Sequence, residues 1–454
     1  MPLIQPVLLL AIVLVEGSVS VAIEILTMRQ LMPFVGSSVV VNSLIIGIFL
    51  LFLALGYYRG GQRQGNHLRI MASNFLIAMG FIAVGLSYPA IEYGFEAFVK
   101  RWEMPLGFLV LYLLLITAPL IYFLGQTVPI ATNLFRTGGV SAISGKAMFL
   151  STIGSFLGSV LTSLWLMNTL GVAMTVMITF ALLALLTLAM SSGLRSLVVR
   201  LALLVPLFGG AWALNLRHER EGFLLTNEYS GYQLFGDQQD NRYLAINRSW
   251  SSKLAPDGQG SFWYIERIRD LLKEGLGSKR EVLALGAGGF TLSLGDQGDN
   301  RYTYVDIDPA IQGVVARDFN PQAAGEYFVA QDARVFLRNK KEVYDLVLSD
   351  VYTNRYALPP HLTTVEYITA TREAVRPGGM VVFNILMRPD LGDAYSRSMD
   401  ATIRRVFPQC LTLFEHYAAT TKNMLYLCRR LEAQSEPYTD DRNRVGMDSL
   451  ANLL

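Results

Sequence analysis

The chain has 454 residues, 52% of them hydrophobic and 16% charged, with a formal net charge of +2. An average soluble chain carries roughly 25% charged residues, and the shortfall is local, because residues 1–216 hold nearly all the long apolar runs. The near-neutral balance without a Lys/Arg-rich block argues against a nucleic-acid partner, and two cysteines, Cys410 and Cys428, without a CxxC spacing argue against a zinc site or a disulfide framework.

A bilayer core needs about 20 apolar residues per helix. Seven segments qualify in chain order: Leu3–Met28, Val39–Tyr58, Ile70–Ile91, Pro105–Leu124, Ala147–Met167, Leu170–Met190 and Leu197–Leu216. The last is the weakest, short and crowded by Arg195 and Arg200. Gly154, Gly158 and Thr162 recur at four-residue spacing, a pattern that lets helices approach closely. Glu16 and Glu24 lie inside the first segment and are functional candidates by default. Arg29 is a nearby partner for Glu24, whereas Glu16 has none in sequence. The loop with Arg59, Arg63 and Arg69 and the loop with Arg136 and Lys146 are basic and read as cytoplasmic. Seven spans would then put the C-terminal half outside. The expectation is nonetheless that the C-terminal half lies in the cytoplasm at a bacterial inner membrane, with the last segment not spanning.

After the polar boundary at 217–222, residues 223–260 alternate weakly and are broken by Gly, Asp and Asn. They read as a small antiparallel β unit. Phe262–Gly275 has helical periodicity. Beyond it, strands at Val282–Leu285, Tyr302–Val305, Tyr327–Val329, Leu346–Leu348 and Val381–Ile385 alternate with helical stretches, which implies a parallel sheet covered on both faces. Cys410–His416 and Asn423–Arg430 read as a closing hairpin, with Cys410 and Cys428 opposite each other as buried free thiols. The fold class is therefore a membrane bundle of six or seven helices (1–216), a β unit (217–260) and a Rossmann-like domain (261–454).

The run from Glu281 to Pro309 carries the chemistry. A strand enters a turn at Gly286, Gly288 and Gly289, and a second strand ends on Asp306. Glycines let the backbone approach a nucleoside, and a carboxylate at the end of the second strand accepts both ribose hydroxyls. Asp332 and Ala333 follow the third strand, where the acid can accept from an adenine amino group. Asp350 and Tyr352 follow the fourth, at the carboxyl edge where reacting atoms lie.

This order resembles the class I S-adenosylmethionine-dependent transferase fold, and within it the spermidine synthases (polyamine aminopropyltransferases), especially their membrane-fused relatives. The resemblance rests on Trp263-Tyr264-Ile265-Glu266, on GAGGF, VDIDP, QDARVFL and YDLVLSD, and on HLTTVEY with Glu366. It implies aminopropyl transfer from decarboxylated S-adenosylmethionine to an amine, with release of methylthioadenosine and no metal. It implies Asp350 as the base, with Tyr264 holding the amine, and Tyr352, Thr353 and Glu366 near the substrate. The family is commonly oligomeric.

Departures shape the expectation. The family's glycine-loop aspartate falls on Gly289, and the second strand-four aspartate, which grips the far ammonium of putrescine, falls on Thr353. An acceptor other than plain putrescine is expected, either a small amine or a membrane-associated molecule. Two alternatives stand beside it. One is an enzyme that uses intact S-adenosylmethionine, since Gly289 no longer repels its carboxylate. The other is a nucleoside- or polyamine-sensing transport protein with Glu16 and Glu24 along the path.

Overall fold

The computed structural model describes residues 4–134, 140–296, 300–352, 358–416 and 420–431. Among the described residues seven helices are long and apolar enough to cross a membrane: α1 (Ile4–Val35), α2 (Val39–Gly61), α3 (His67–Gly85), α5 (Pro105–Thr132), α6 (Ser141–Leu170), α7 (Val172–Ala189) and α8 (Leu194–Gly222). The seventh is as long as most of the others, so its expected failure to span is not supported by its length. Between α3 and α5 lies α4 (Tyr88–Trp102), an amphipathic helix; the third expected segment ran into its first turn, and the rest of it, expected as a loop, is helical. The Ser38 hydroxyl caps α2 by accepting from the Val41 N–H, and Asn66 caps α3 through the Arg69 N–H.

The small-residue pattern is bundle packing. Gly154 and Gly158 of α6 press on the backbone of α1, where an added Cβ would lie 2.0 Å from the Leu14 carbonyl oxygen and 2.2 Å from that of Ser18. Glu16 is buried in the bundle and accepts from the Ser20 hydroxyl at 2.8 Å. Arg29 does not pair with Glu24. Its Nε donates instead to the Asn227 carbonyl in the soluble half, at 2.6 Å.

The β unit is a four-stranded antiparallel sheet of β1 (Leu225–Thr226), β2 (Gly231–Gly236), β3 (Arg242–Ile246) and β4 (Ser249–Leu254), in sequential order. It sits on the end of the bundle. Arg248 pairs with Glu92 and Glu96 of α4 and lies over the Phe34 ring. Helix α9 (Trp263–Leu271) then leads into β5 (Glu281–Leu285), β6 (Arg301–Asp306), α10 (Ile311–Asp318), β7 (Tyr327–Ala330), α11 (Ala333–Leu337), β8 (Tyr344–Ser349), α12 (Val365–Ala374), β9 (Val375–Met387), α13 (Ala394–Val406), β10 (Cys410–Phe414) and β11 (Lys422–Arg429).

The seven-stranded sheet runs β10-β11-β9-β8-β5-β6-β7. The five strands from β9 to β7 are parallel, and β10 and β11 are antiparallel. Strand β8 is buried along its whole length, as a central parallel strand covered on both faces should be. Chain order reverses at β5, which opens a crevice at the carboxyl ends of β5, β6 and β8. The closing hairpin is present, but Cys410 and Cys428 form a disulfide, not two free thiols. Their direct pairing in the antiparallel register brings the two Cα atoms to 4.4 Å.

Candidate active site

A cavity of about 420 Å³ occupies the crevice. Gly286, Ala287 and Gly288 form its floor where β5 ends. Gly286 has φ 88°, and a Cβ there would come within 2.1 Å of the Asp350 carbonyl oxygen. Only glycine lets the ends of β5 and β8 meet this closely. The Asp350 N–H in turn donates to the Leu285 carbonyl at 2.9 Å, which fixes the carboxylate beside the glycine turn. Gly289 lies behind this floor and does not line the cavity. Its N–H donates to the Ser252 hydroxyl at 2.8 Å, and Phe319 and Ser252 fill the space a side chain would need.

Asp350 is held from two sides. Oδ2 accepts from the Tyr264 hydroxyl at 3.0 Å and Oδ1 from the Asn384 amide at 2.9 Å. Burial pushes its carboxyl up to about 6, against the two hydrogen bonds. Tyr264 is buried in the first turn of α9, and burial together with the neighbouring Asp350 charge raises its phenol well above the usual range. It therefore stays a donor at every physiological pH.

Asp306 closes β6 in the cavity wall. Its oxygens accept from the Asp308 and Ala287 N–H groups at 3.1 Å each. Burial still raises this carboxyl to about 6. Asp332 also lines the cavity, but it caps α11 through the Val335 N–H and meets His361 at 2.8 Å. Burial opposes its ionisation, yet His361 and that N–H hold it below the usual carboxylate range. Ala333 lines the cavity beside it.

Tyr352 lines the wall as well, with its hydroxyl donating to the Asn384 carbonyl at 3.2 Å and accepting from the Leu386 N–H. Glu366 does not reach the cavity; it is exposed in the first turn of α12. Thr353 lies outside the described residues. Among the described residues no three His, Cys, Asp or Glu side chains cluster as metal ligands.

Sequence reasoning missed several neighbours. Asn384 is one, and its signal was legible as a lone amide in the apolar run VVFNIL. Asp308 is another. It is fully buried, accepting from the Asn227 amide at 2.9 and 3.0 Å, the Tyr232 hydroxyl at 2.6 Å and the Ala310 N–H at 2.9 Å. Glu228, from the β1–β2 turn, and Met32 and Ser37, from the end of α1 and its following loop, complete the cavity on the bundle side. No local pattern announces residues joined only by the docking of two halves.

The strand order, the glycine turn at β5 and the acid ending β6 define a Rossmann-like α/β domain. Among known proteins, part of the chain is similar to the probable polyamine aminopropyl transferase of Bifidobacterium longum, with 30% identity over 111 residues, 23% of this chain and 25% of that protein. It is likewise similar to the polyamine aminopropyltransferase of Vibrio vulnificus, with 30% identity over 131 residues, 28% of this chain and 42% of that protein. The crystal structure of a probable spermidine synthase from Corynebacterium glutamicum aligns over 47% of this chain and 81% of its own, at 23% identity and a TM-score of 0.40. No family model matches the chain. The chain thus spans less than half the length of these two curated relatives.

Proposed function

We propose that this protein is a membrane-anchored aminopropyltransferase, which moves an aminopropyl group from decarboxylated S-adenosylmethionine to an amine. The observation that carries the reading is Asp350, held by Tyr264 and Asn384 in the same cavity as Asp306, Asp332 and the glycine turn. Asp306 receives the ribose hydroxyls and Asp332 the adenine amino group. The acceptor nitrogen attacks the methylene carbon next to the sulfonium. As the N–C bond forms, the C–S bond breaks and its electron pair returns to sulfur, releasing methylthioadenosine. The proton lost by nitrogen passes to Asp350. A free alkyl amine has a pKa near that of Lys, about 10, so a desolvated carboxylate beside it assists attack. The sulfonium is already a good leaving group, and most of the remaining catalysis is positioning.

The charge of the cavity favours the decarboxylated donor over intact S-adenosylmethionine. Among the described residues its wall carries four carboxylates and no Lys or Arg. A dication suits such a wall, and a methionine carboxylate finds no cation there. The test is mass spectrometry of products from purified protein given each donor with a pool of amines. Methylthioadenosine made only from the decarboxylated form, and lost in Asp350→Asn, supports the reading. Turnover of intact S-adenosylmethionine alone overturns it.

The catalytic half is assigned to the outer face of the membrane, in place of the cytoplasmic side expected from cosubstrate supply. Three observations support this. The candidate spans among the described residues number seven, which is odd. Arg59, Arg63, Arg69, Arg195 and Arg200 lie at or near the helix ends away from the soluble half, the end that the positive-inside rule puts in the cytoplasm. The Cys410–Cys428 disulfide suits an oxidising compartment. The donor nucleoside then has to be delivered to that face.

A further inference from the structure

Gln331 and His361 are exposed in the cavity wall beside Asp332, on the surface of the soluble half, where a nucleoside can enter from water. A second exposed stretch of wall, formed by Ser37, Tyr229 and Trp250, lies on the bundle side and has no part in donor binding. The fold sets its level. Ser37 belongs to the three-residue loop that joins the spanning helices α1 and α2, so it stands at the boundary of the bilayer. Cavity wall becomes bundle surface within two residues, because Val39 and Val40 in the first turn of α2 are 79% and 58% exposed. Apolar side chains left open on a spanning helix meet acyl chains. Trp250 is tied to the same level, two residues after Arg248, which pairs with Glu92 and Glu96 of α4 at the end of the bundle. It packs edge-on against Phe235 at 5.2 Å and is still 56% exposed. Trp and Tyr in that condition, joined here by exposed Tyr93 and Trp102 of α4, gather where membrane meets water.

We propose that the acceptor is a primary amine carried by a membrane lipid, which enters the cavity sideways from the leaflet at this end of the bundle. The inference rests on the aminopropyl-transfer reading and names its acceptor. The headgroup amine passes the α1–α2 loop and Trp250 to reach Asp350, while the acyl chains stay in the bilayer. The cavity then holds only the headgroup beside the nucleoside. The bond changes are those already described: the lipid nitrogen gains the aminopropyl group, methylthioadenosine leaves, and the proton goes to Asp350. A wall with carboxylates and without Lys or Arg among the described residues suits an ammonium headgroup. An amine arriving from water needs no apolar rim at its entrance.

The experiment uses the full-length protein in phosphatidylcholine vesicles with decarboxylated S-adenosylmethionine. The acceptor is octadecylamine in the bilayer, or butylamine or putrescine in the water, and products are read by mass spectrometry. The kcat/KM for octadecylamine should exceed that for either soluble amine about tenfold or more, because the bilayer concentrates it at the entrance. Its rate should fall as octadecylamine is diluted with phosphatidylcholine at constant total amount. Faster use of a soluble amine, or a rate blind to that dilution, overturns the proposal. Binding is read separately with an octadecylamine that carries a photoreactive diazirine near the nitrogen, cross-linked in the presence of methylthioadenosine. Labels on Met32, Tyr229 or Trp250 support the lipid-amine site even where the wild type makes no product, an outcome that counts against aminopropyl transfer alone. Labels confined to the outer face of the bundle, at residues such as Leu50 and Leu51, overturn it.

Discussion

Replacing Asp350 by Asn should stabilise the protein while abolishing its activity. The carboxyl is carried from its ordinary value of 3.8 to about 6, chiefly by burial. A raised carboxyl pKa means that folding favours the protonated form. The ionised form therefore opposes folding by ~3 kcal/mol at neutral pH. The cost is absent below about pH 4 and grows to its full value as pH rises through about 6. Asn has the same shape, can accept from the Asn384 amide and carries no charge. We expect a gain of ~1–3 kcal/mol near pH 7.5, seen as a melting midpoint higher by roughly 2–6 °C in detergent. The gain should vanish near pH 4, where the wild-type carboxyl is already neutral in the fold. Methylthioadenosine release should fall roughly 100- to 10,000-fold. A variant that is less stable at neutral pH, or that keeps more than about a tenth of its turnover, would refute the assignment of Asp350 as a desolvated base.

Activity of the wild type should rise with pH through about 6, because Asp350 and Asp306 both ionise there, and a rate that is flat from pH 5 to 7 would contradict those values. Gly286→Ala should fail to give folded, nucleoside-binding protein, since its Cβ would sit 2.1 Å from the Asp350 carbonyl at φ 88°; calorimetry with methylthioadenosine checks this. Tyr264→Phe should lower kcat about tenfold with little change in donor KM, read from steady-state kinetics, because it removes one of two hydrogen bonds that aim the base. A reporter fused to the C-terminus that is active only outside the cytoplasm should give signal, and signal from a cytoplasm-only reporter would reverse the assigned orientation.

Much of this was legible in the sequence because the signals are local. The turn at Gly286 and Gly288 and the strand-ending Asp306 lie where the pattern of strand, glycine and acid predicts them. Asp350 follows β8 beside that turn, and Tyr264 meets it although 86 residues separate them. What the sequence concealed depends on docking. Residues 92–102 read as a loop because Glu92, Glu96, Lys100 and Arg101 end the apolar run, yet they continue an amphipathic helix whose Ile91 and Phe95 are buried against the bundle. Arg29 looked like the partner of Glu24 by proximity along the helix, yet burial against the β unit gave it Asn227. Gly289 looked like a ligand contact, but its missing side chain answers to Phe319 and Ser252. The cysteines faced each other as the hairpin required, and only the register showed them close enough to bond.

The chain from Arg29 through Asn227 to Asp308 has a consequence for how this protein can be taken apart. Asp308 lies two residues beyond Asp306, and its N–H is one of the donors that fix that carboxylate. A fragment beginning at residue 217 would lack Arg29, the Glu92 and Glu96 partners of Arg248, and the Met32 and Ser37 wall of the cavity. Its nucleoside pocket would be open on one side, and the backbone around Asn227 would have lost its anchor. The soluble half is therefore not an interchangeable module bolted to an anchor. Substitutions in α1 and in the loop after β6 are expected to be tolerated in pairs and not singly, so a graft onto a foreign bundle has to carry the matching end of α1 with it.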